Sequence, residues 1–178
     1  MQAAPPLPPQ TERQRIAESV VFRTYQASDH EGCLAAFMSN VPAYFAASEV
    51  PEFQHFLATP LDGTYLVAEL HGRIVGCGGW CANAPGVGRL TWGLVHRDCH
   101  GMAMGAALLR ARLESLFADE AMREVGIDTS QHSAGFFARY GFVRLEEVED
   151  GIAPGLHLVR MQLRRSDWAA RSQGARHG

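Results

Sequence analysis

The segment Leu94-Val-His-Arg-Asp-Cys-His-Gly-Met-Ala-Met-Gly-Ala-Ala-Leu-Leu109 passes from a β-favouring apolar run into a helical one through a stretch rich in small residues. Such a junction leaves the first N–H groups of the helix without intrahelical acceptors, and the helix dipole adds positive potential at the same place. A phosphate can accept those N–H groups, provided that no bulky side chain holds it away from the backbone. Gly101, Ala103, Gly105 and Ala106 meet that condition. The same composition also serves an ordinary strand-to-helix turn with close packing, so the segment alone leaves both readings open. A nucleotide-binding turn fits less well, because the Walker Lys-Ser/Thr pair is absent and no Gly-x-Gly-x-x-Gly stands at the turn.

A second segment, Thr129-Ser-Gln-His-Ser-Ala-Gly-Phe-Phe-Ala-Arg-Tyr-Gly-Phe142, reads as a short helix with aromatic residues on its inner face. It ends at Gly141, where a residue without Cβ can take the left-handed conformation. His132 and Tyr140 are its titratable groups; the alternatives are an exposed residue near the helix cap and a packing ring. His96 and Asp98 are candidate bases at the end of the preceding strand, or simply turn residues. Glu146, Glu147, Glu149 and Asp150 could draw a cationic amine, although a charge run is commonly a solvated face.

These groups must be positioned by one domain, expected over about residues 18–165. The sequence has 178 residues, 47% of them apolar, enough for one full core. A formal net charge of −3 and the lack of a long basic run give no field to gather nucleic acid. No run of about 18 apolar residues occurs, and the first residues lack the pattern of a secretory leader, so a cytoplasmic protein without membrane insertion is expected. Cys33, Cys77, Cys81 and Cys99 sit among apolar neighbours and read as reduced, buried thiols. No metal site is expected. Cys77 and Cys81 lie on one face of a strand, but about 13 Å apart.

Along the chain, residues 1–12 and 166–178 read as flexible tails. Between them the periodicity predicts a strand at Val20 to Tyr25, then a helix opened by the capping-box pattern Ser28-Asp-His-Glu31 and stopped at Asn40-Val-Pro42. A second helix is predicted over Ser48 to Leu57, after an aromatic link, Ala43-Tyr-Phe-Ala46, that could form a substrate wall. Thr64 to Leu70 and Arg73 to Trp80 form a hairpin around His71-Gly72. A third strand runs from about Gly88 to His96, and a helix carries Ala106, Leu109, Leu113, Leu116 and Phe117. A strand from Glu124 to Thr129, a helix from Gln131 to Tyr140, and strands over Phe142 to Val148 and Leu156 to Leu163 complete the order.

The two segments together resemble the GNAT superfamily of acetyl-CoA-dependent N-acetyltransferases. That family has Arg or Gln, two residues, Gly, one residue, and Gly or Ala between its fourth strand and third helix. His100-Gly-Met-Ala103-Met-Gly105 lies at the matching place, with His100 for Arg or Gln and Ala103 for Gly. Phe136-Phe-Ala-Arg-Tyr-Gly-Phe142 is similar to the family's Phe-Tyr-x-Lys-x-Gly-Phe. The resemblance covers about Val20 to Leu163 and implies a mixed α+β fold. Its sheet would have about seven mostly antiparallel strands, splayed between the fourth and fifth.

It further implies that acetyl-CoA binds as co-substrate, its pyrophosphate against the run His100, Gly101, Met102, Ala103, Met104, Gly105 and Ala106. Pantetheine would pair with the Leu94 and Val95 backbone, and the thioester would lie near Leu94, Ser130 and Phe137. The family often carries its general acid on the Tyr of Phe-Tyr, where this chain has Phe137. His132 and Tyr140 are therefore the candidate acids, and a backbone N–H near Val95 the candidate oxyanion donor. The acceptor would be a primary amine of a small molecule or peptide, in a groove between the Asn40 to Val50 link and the Glu149 to His157 loop. A homodimer is compatible with these expectations, and so is an acyl-CoA sensor of the same fold without turnover.

Overall fold

The computed structural model describes residues 9–59 and 63–174. The described residues form helix α1 (Gln10–Glu18), then strand β1 (Val21–Thr24) and a 3-10 turn over Ala27–Asp29 that leads into helix α2 (His30–Met38). The capping box that opens this part pairs Gln26 with Asp29, two residues earlier than the Ser28 pattern suggested. The Asp29 carboxylate accepts the Gln26 N–H at 2.8 Å and the Arg23 guanidinium at 2.7 and 2.8 Å, tying β1 to α2. Those hydrogen bonds hold Asp29 below the usual carboxylate range.

Helix α3 (Glu49–Ala58) follows a link containing a cis Val41–Pro42 bond. Strands β2 (Thr64–Leu70) and β3 (Arg73–Ala84) then form a hairpin. His71 and Gly72 have φ of 51° and 78°, the paired positive values of a type I′ turn whose twist matches that of the strands. Next come β4 (Val87–Val95), helix α4 (Met104–Phe117), β5 (Glu124–Ser130), helix α5 (Gln131–Arg139), β6 (Val143–Ala153), β7 (Leu156–Arg164) and helix α6 (Arg165–Gly174).

The seven strands form one sheet in the order β1-β2-β3-β4-β5-β7-β6. Every pair is antiparallel except β4–β5. That parallel pair holds for only three positions, Val87 to Arg89 against Glu124 to Gly126; beyond them the strands separate and leave a fork. The mixed α+β sheet with its splay is the architecture that the sequence implied.

Helices cover both faces because side chains alternate across each strand. On one face Phe37 of α2 and Phe53 of α3 pack with Cys33, Val67 and Cys77. On the other, Leu109, Leu113, Leu116 and Phe117 of α4 and Phe137 of α5 pack with Val125, Val159 and Leu163. Cys33, Cys77 and Cys99 are buried and Cys81 is partly covered, all as free thiols. A hydrogen bond to Cys77 and burial push the Cys33 thiol far above its ordinary range.

The tails need correction. Of the N-terminal stretch, residues 1–8 lie outside the described residues, but Gln10 to Glu12 belong to α1, whose Ile16 packs against Val20, Val75 and Met104. Of the C-terminal stretch, residues 166–174 belong to α6, and 175–178 lie outside the described residues. Trp168 packs on the α4–α5 core, and Arg165 donates to the carbonyls of Met122 at 2.7 Å, of Phe117 at 2.8 Å and of Asp119. Trp168, the Arg165 guanidinium and Arg171, which donates to the Arg139 carbonyl at 3.5 Å, hold this helix, and none produces a periodic sequence signal.

Candidate active site at the strand fork

Between Val95 and α4 the chain makes a 3-10 turn over Arg97–Cys99 and then two left-handed residues, Gly101 with φ 77° and Ala103 with φ 60°. The second is costly, about 1–2 kcal/mol for a residue with a Cβ. It turns the chain so that α4 starts at Met104 with no side-chain cap and no acidic residue in its first turn. Ala107 donates to the Ala103 carbonyl at 3.1 Å, so the helical ladder starts there and the N–H groups before it are left to a ligand.

That helix end opens into a cavity of about 1080 Å³ that runs up the fork. The size lies at the upper end of the range for small-ligand sites, which suits a long ligand better than a compact one. Gly101, Ala103, Gly105 and Ala106 line it; Met102 and Met104 do not, and Met104 is buried beneath α1. A Cβ built on Gly105 would meet nothing closer than Phe136 at 3.7 Å, so the space beside this glycine is open toward the cavity.

The other sequence candidates divide clearly. Leu94, Val95, His100, Ser130, His132, Phe137 and Tyr140 all line the cavity. Ser130 is 3% exposed, and its Oγ is the one buried side-chain polar atom without a partner among the described residues. A hydroxyl orphaned at the wall of a cavity fits a ligand that brings its own polar group. Phe137 is buried against Phe136 and Phe142, with centroids 5.1 and 5.4 Å away. Tyr140 packs on Phe136 at 5.0 Å, and the exposed His132 ring stands edge-on to Tyr44 at 6.3 Å.

Two expectations change in detail. The His100 ring turns back to the Val95 carbonyl, with Nε2 at 3.0 Å; since a carbonyl only accepts, Nε2 carries the proton. Asn40 Nδ2 donates to the same oxygen at 2.9 Å. Both lone pairs of that carbonyl are thereby used inside the protein. His96 and Asp98 are turn residues: the Asp98 N–H donates to His96 Nδ1 at 3.2 Å, and neither residue lines the cavity. Burial and the nearby Arg73 pull His96 below the usual histidine range.

The acceptor side differs more from the sequence reading. Tyr44 and Phe45 of the aromatic link do line the cavity, beside Trp92. The acidic run of β6 does not: Glu146 pairs with Arg160 at 2.5 Å, Glu147 pairs with Arg144, and of that strand's loop only Ile152 reaches the cavity. The carboxylates that line it are Glu49 and Glu52 on α3 and Asp128 on β5. Asp128 is paired with Arg89 at 2.6 Å, just where the fork begins. Glu49 accepts the Ala46 N–H at 2.7 Å, and burial raises it above the usual carboxylate range. Its position in the first turn of a helix masked it, because acids are common there for the dipole alone.

The sequence reading also missed Arg112. It is 2% exposed on α4, yet it lines the cavity. Its Nε and Nη2 donate to the Gly79 carbonyl at 3.0 and 2.8 Å, and Nη2 also to the Thr91 carbonyl at 3.0 Å. The spacing Leu109, Arg112, Leu113, Leu116 places it on the buried stripe of the helix, which was the available signal.

Comparisons agree with this geometry. The family described as "Acetyltransferase (GNAT) domain" matches residues 25–165. A GNAT-family protein from Desulfovibrio desulfuricans superposes with a TM-score of 0.70 at 18% identity, covering 82% of this chain and 98% of that one. A GCN5-related N-acetyltransferase from Kribbella flavida gives 0.68 at 18% identity, over 83% and 98% of the two chains. The acetyltransferase yncA from Salmonella typhimurium, solved with its cofactor acetyl-CoA, gives 0.63 at 15% identity, over 82% and 93%. No curated protein matches the sequence. With the family matched across most of the chain and the fork, turn and aromatic helix in place, this chain belongs to the GNAT acetyltransferase family.

Proposed function

We propose that the chain transfers an acetyl group from acetyl-CoA to a primary amine. The observation that carries this reading is the uncapped N-terminus of α4 opening into a cavity that follows the fork. In this reading the N–H groups of Gly105 and Ala106 hold the pyrophosphate, and pantetheine occupies the gap that β5 leaves beside Leu90 to Val95. Ser130 Oγ then finds its missing partner on the pantetheine arm. The acetyl carbonyl lies near the Trp92–Val95 backbone, with Phe137 packed behind it.

Amine attack forms a C–N bond and breaks the C–S bond, and the electron pair of the latter leaves on sulfur. The proton lost from nitrogen passes to Glu49 or to water. Glu49 supports either task, because it is the half-buried carboxylate on the aromatic side of the cavity, and desolvation makes it more basic than an exposed acid. Phe137 cannot donate to the thiolate. A thiol pKa of about 8.5 lets that group leave with a proton from water.

The deciding experiment is release of free thiol from acetyl-CoA across a panel of amines. Amine-dependent release is the expected result. Tight binding with no release for any amine would favour the second reading, an acyl-CoA sensor, to which the phenylalanine at 137 lends support.

A further inference from the structure

The cation buried beneath the fork is unusual in what it lacks. Among the described residues Arg112 has no carboxylate partner; the protein groups it bonds are the Gly79 and Thr91 carbonyls. Tyr65 and Cys77 are the ionisable groups that act on it from beneath, and Tyr65, pushed by burial well above its ordinary range, is neutral at physiological pH. Burial pulls Arg112 down to about 10, which still leaves it charged there. A desolvated charge is expensive unless something compensates it.

The surrounding sequence is arranged to admit the guanidinium. A Cβ on Gly93 would lie 2.1 Å from Nη1, and one on Gly78 would lie 3.2 Å from Cζ, so Arg112 rests directly on the β3 and β4 backbones. It rests there at a bulge. The register slips between Cys77 and Gly79, so that Gly78 faces both Trp92 and Gly93, and Trp92 takes φ 37°. The two carbonyls that Arg112 holds belong to the Gly79–Thr91 pair that closes one end of this slip, and Trp92, Gly93 and Leu94 line the cavity just above it. Nη1 donates in none of the hydrogen bonds of the described residues.

We propose that Arg112 is a positioning residue for acyl transfer: it fixes the β4 bulge beside the thioester, and its fixed charge stabilises the negative charge that collects on oxygen and then sulfur. The proposal rests on the acyl-CoA reading of the fork. It assigns the compensating anion to the reaction itself: amine attack places charge on the thioester oxygen, and cleavage of C–S moves it to the thiolate. A charge 2% exposed acts on such a site with less screening than a charge in solvent.

The test separates the proposal from that reading. CoA and desulfo-CoA, which lacks the sulfur, are titrated into the protein at pH 7 and pH 9, the second just above the usual thiol pKa. Arg112 is expected to make CoA bind about tenfold more tightly than desulfo-CoA at pH 9, while the two bind alike at pH 7, as for a thiol pKa lowered by about one unit. Arg112→Gln should abolish that difference and Arg112→Lys retain part of it, with kcat falling more than KM in both. Other charges face the same cavity: Arg13, Arg139, Glu49, Glu52 and the Arg89–Asp128 pair, together with His100, His132 and Tyr140. The substitutions leave all of these in place, so the change isolates Arg112. Should Arg112→Gln fail to fold, Gly93→Ala displaces Nη1 and serves as the second variant. Equal binding of CoA and desulfo-CoA by the wild type at pH 9 would overturn the proposal. Failure of both to bind would instead remove the acyl-CoA reading.

Discussion

The turn before α4 and the wall formed by Tyr44, Phe45 and Glu49 line the same cavity, yet they work by different means. In the proposed function the turn acts through its backbone, so what it needs from the sequence is the absence of side chains. Absence leaves a compact signature, which is why Gly101, Ala103, Gly105 and Ala106 could be read as a phosphate turn before any coordinates. The wall acts through side chains brought together from α3, β4 and the link after α2. Its specificity depends on which of many exposed acids happens to face inward, and no local pattern records that.

The largest effect expected from breaking the turn is at Gly105. Gly105→Asp puts a carboxylate against the pyrophosphate, while the nearest neighbour of its Cβ is Phe136 at 3.7 Å, so the fold should survive. Wild-type protein at a hundredfold excess of acetyl-CoA over Kd should gain about 2.7 kcal/mol, a melting shift of roughly 5–10 °C for a chain of this size. In the variant that shift should vanish while the ligand-free melting temperature stays within about 2 °C. Gly76 makes the contrast: a Cβ there would lie 2.8 Å from the Leu94 carbonyl, so Gly76→Ala should lower stability without ligand.

Breaking the wall should leave CoA binding intact. Glu49→Gln is expected to lower kcat/KM for the amine by ten- to a hundredfold, within the range of a positioned base. The melting shift with acetyl-CoA should not change. The pH profile carries the sign. Glu49 must be ionised to act, and burial raises its pKa, so wild-type kcat/KM should fall with acidification at a pH above the ordinary Glu value of about 4.3. That acidic limb should be missing from the variant. An unchanged limb would place the base elsewhere.

A smaller change should improve the turn. Ala103 occupies a left-handed conformation with φ 60°, so Ala103→Gly relieves about 1–2 kcal/mol of strain, partly offset by about 0.4–1 kcal/mol of added unfolded-chain entropy. A rise in melting temperature of a few degrees, with CoA affinity held or improved, is the expected outcome.

The same contrast explains what the sequence could and could not show. The strand and helix order, the His71-Gly72 hairpin and the splay followed from periodicity, turn residues and resemblance. Arg112 did not, because a lone arginine in an apolar stripe acquires meaning only when Gly78 and Gly93, distant in the chain, are seen to clear space for it. The acids of β6 misled for a related reason. Their density suggested a field, but Arg144 and Arg160 neutralise part of it on the solvent side, and none of the four lines the cavity. α6 was missed because it docks through scattered single residues, Trp168, Arg165 and Arg171, rather than by a face.

The smallest effects should come from the two candidate acids of α5, and their order is informative. Tyr140 packs its ring on Phe136, so Tyr140→Phe keeps the packing and should cost less than about tenfold in kcat, well short of the hundredfold that loss of a positioned acid typically brings. His132 is exposed, stands beside Tyr44 and reaches the cavity at the mouth of the fork. His132→Ala should cost more than Tyr140→Phe while remaining modest, because the thiolate can take its proton from water. Rate against pH for both variants, with the amine that the panel identifies, decides between them. If Tyr140→Phe lost more than about a hundredfold and also removed a basic limb near pH 10, where an ordinary tyrosine titrates, the phenol would be the acid and His132 a bystander. If neither variant moved the profile, the donor side would need no side-chain acid at all. Catalysis there would then rest, as in the turn, on backbone and fixed charge.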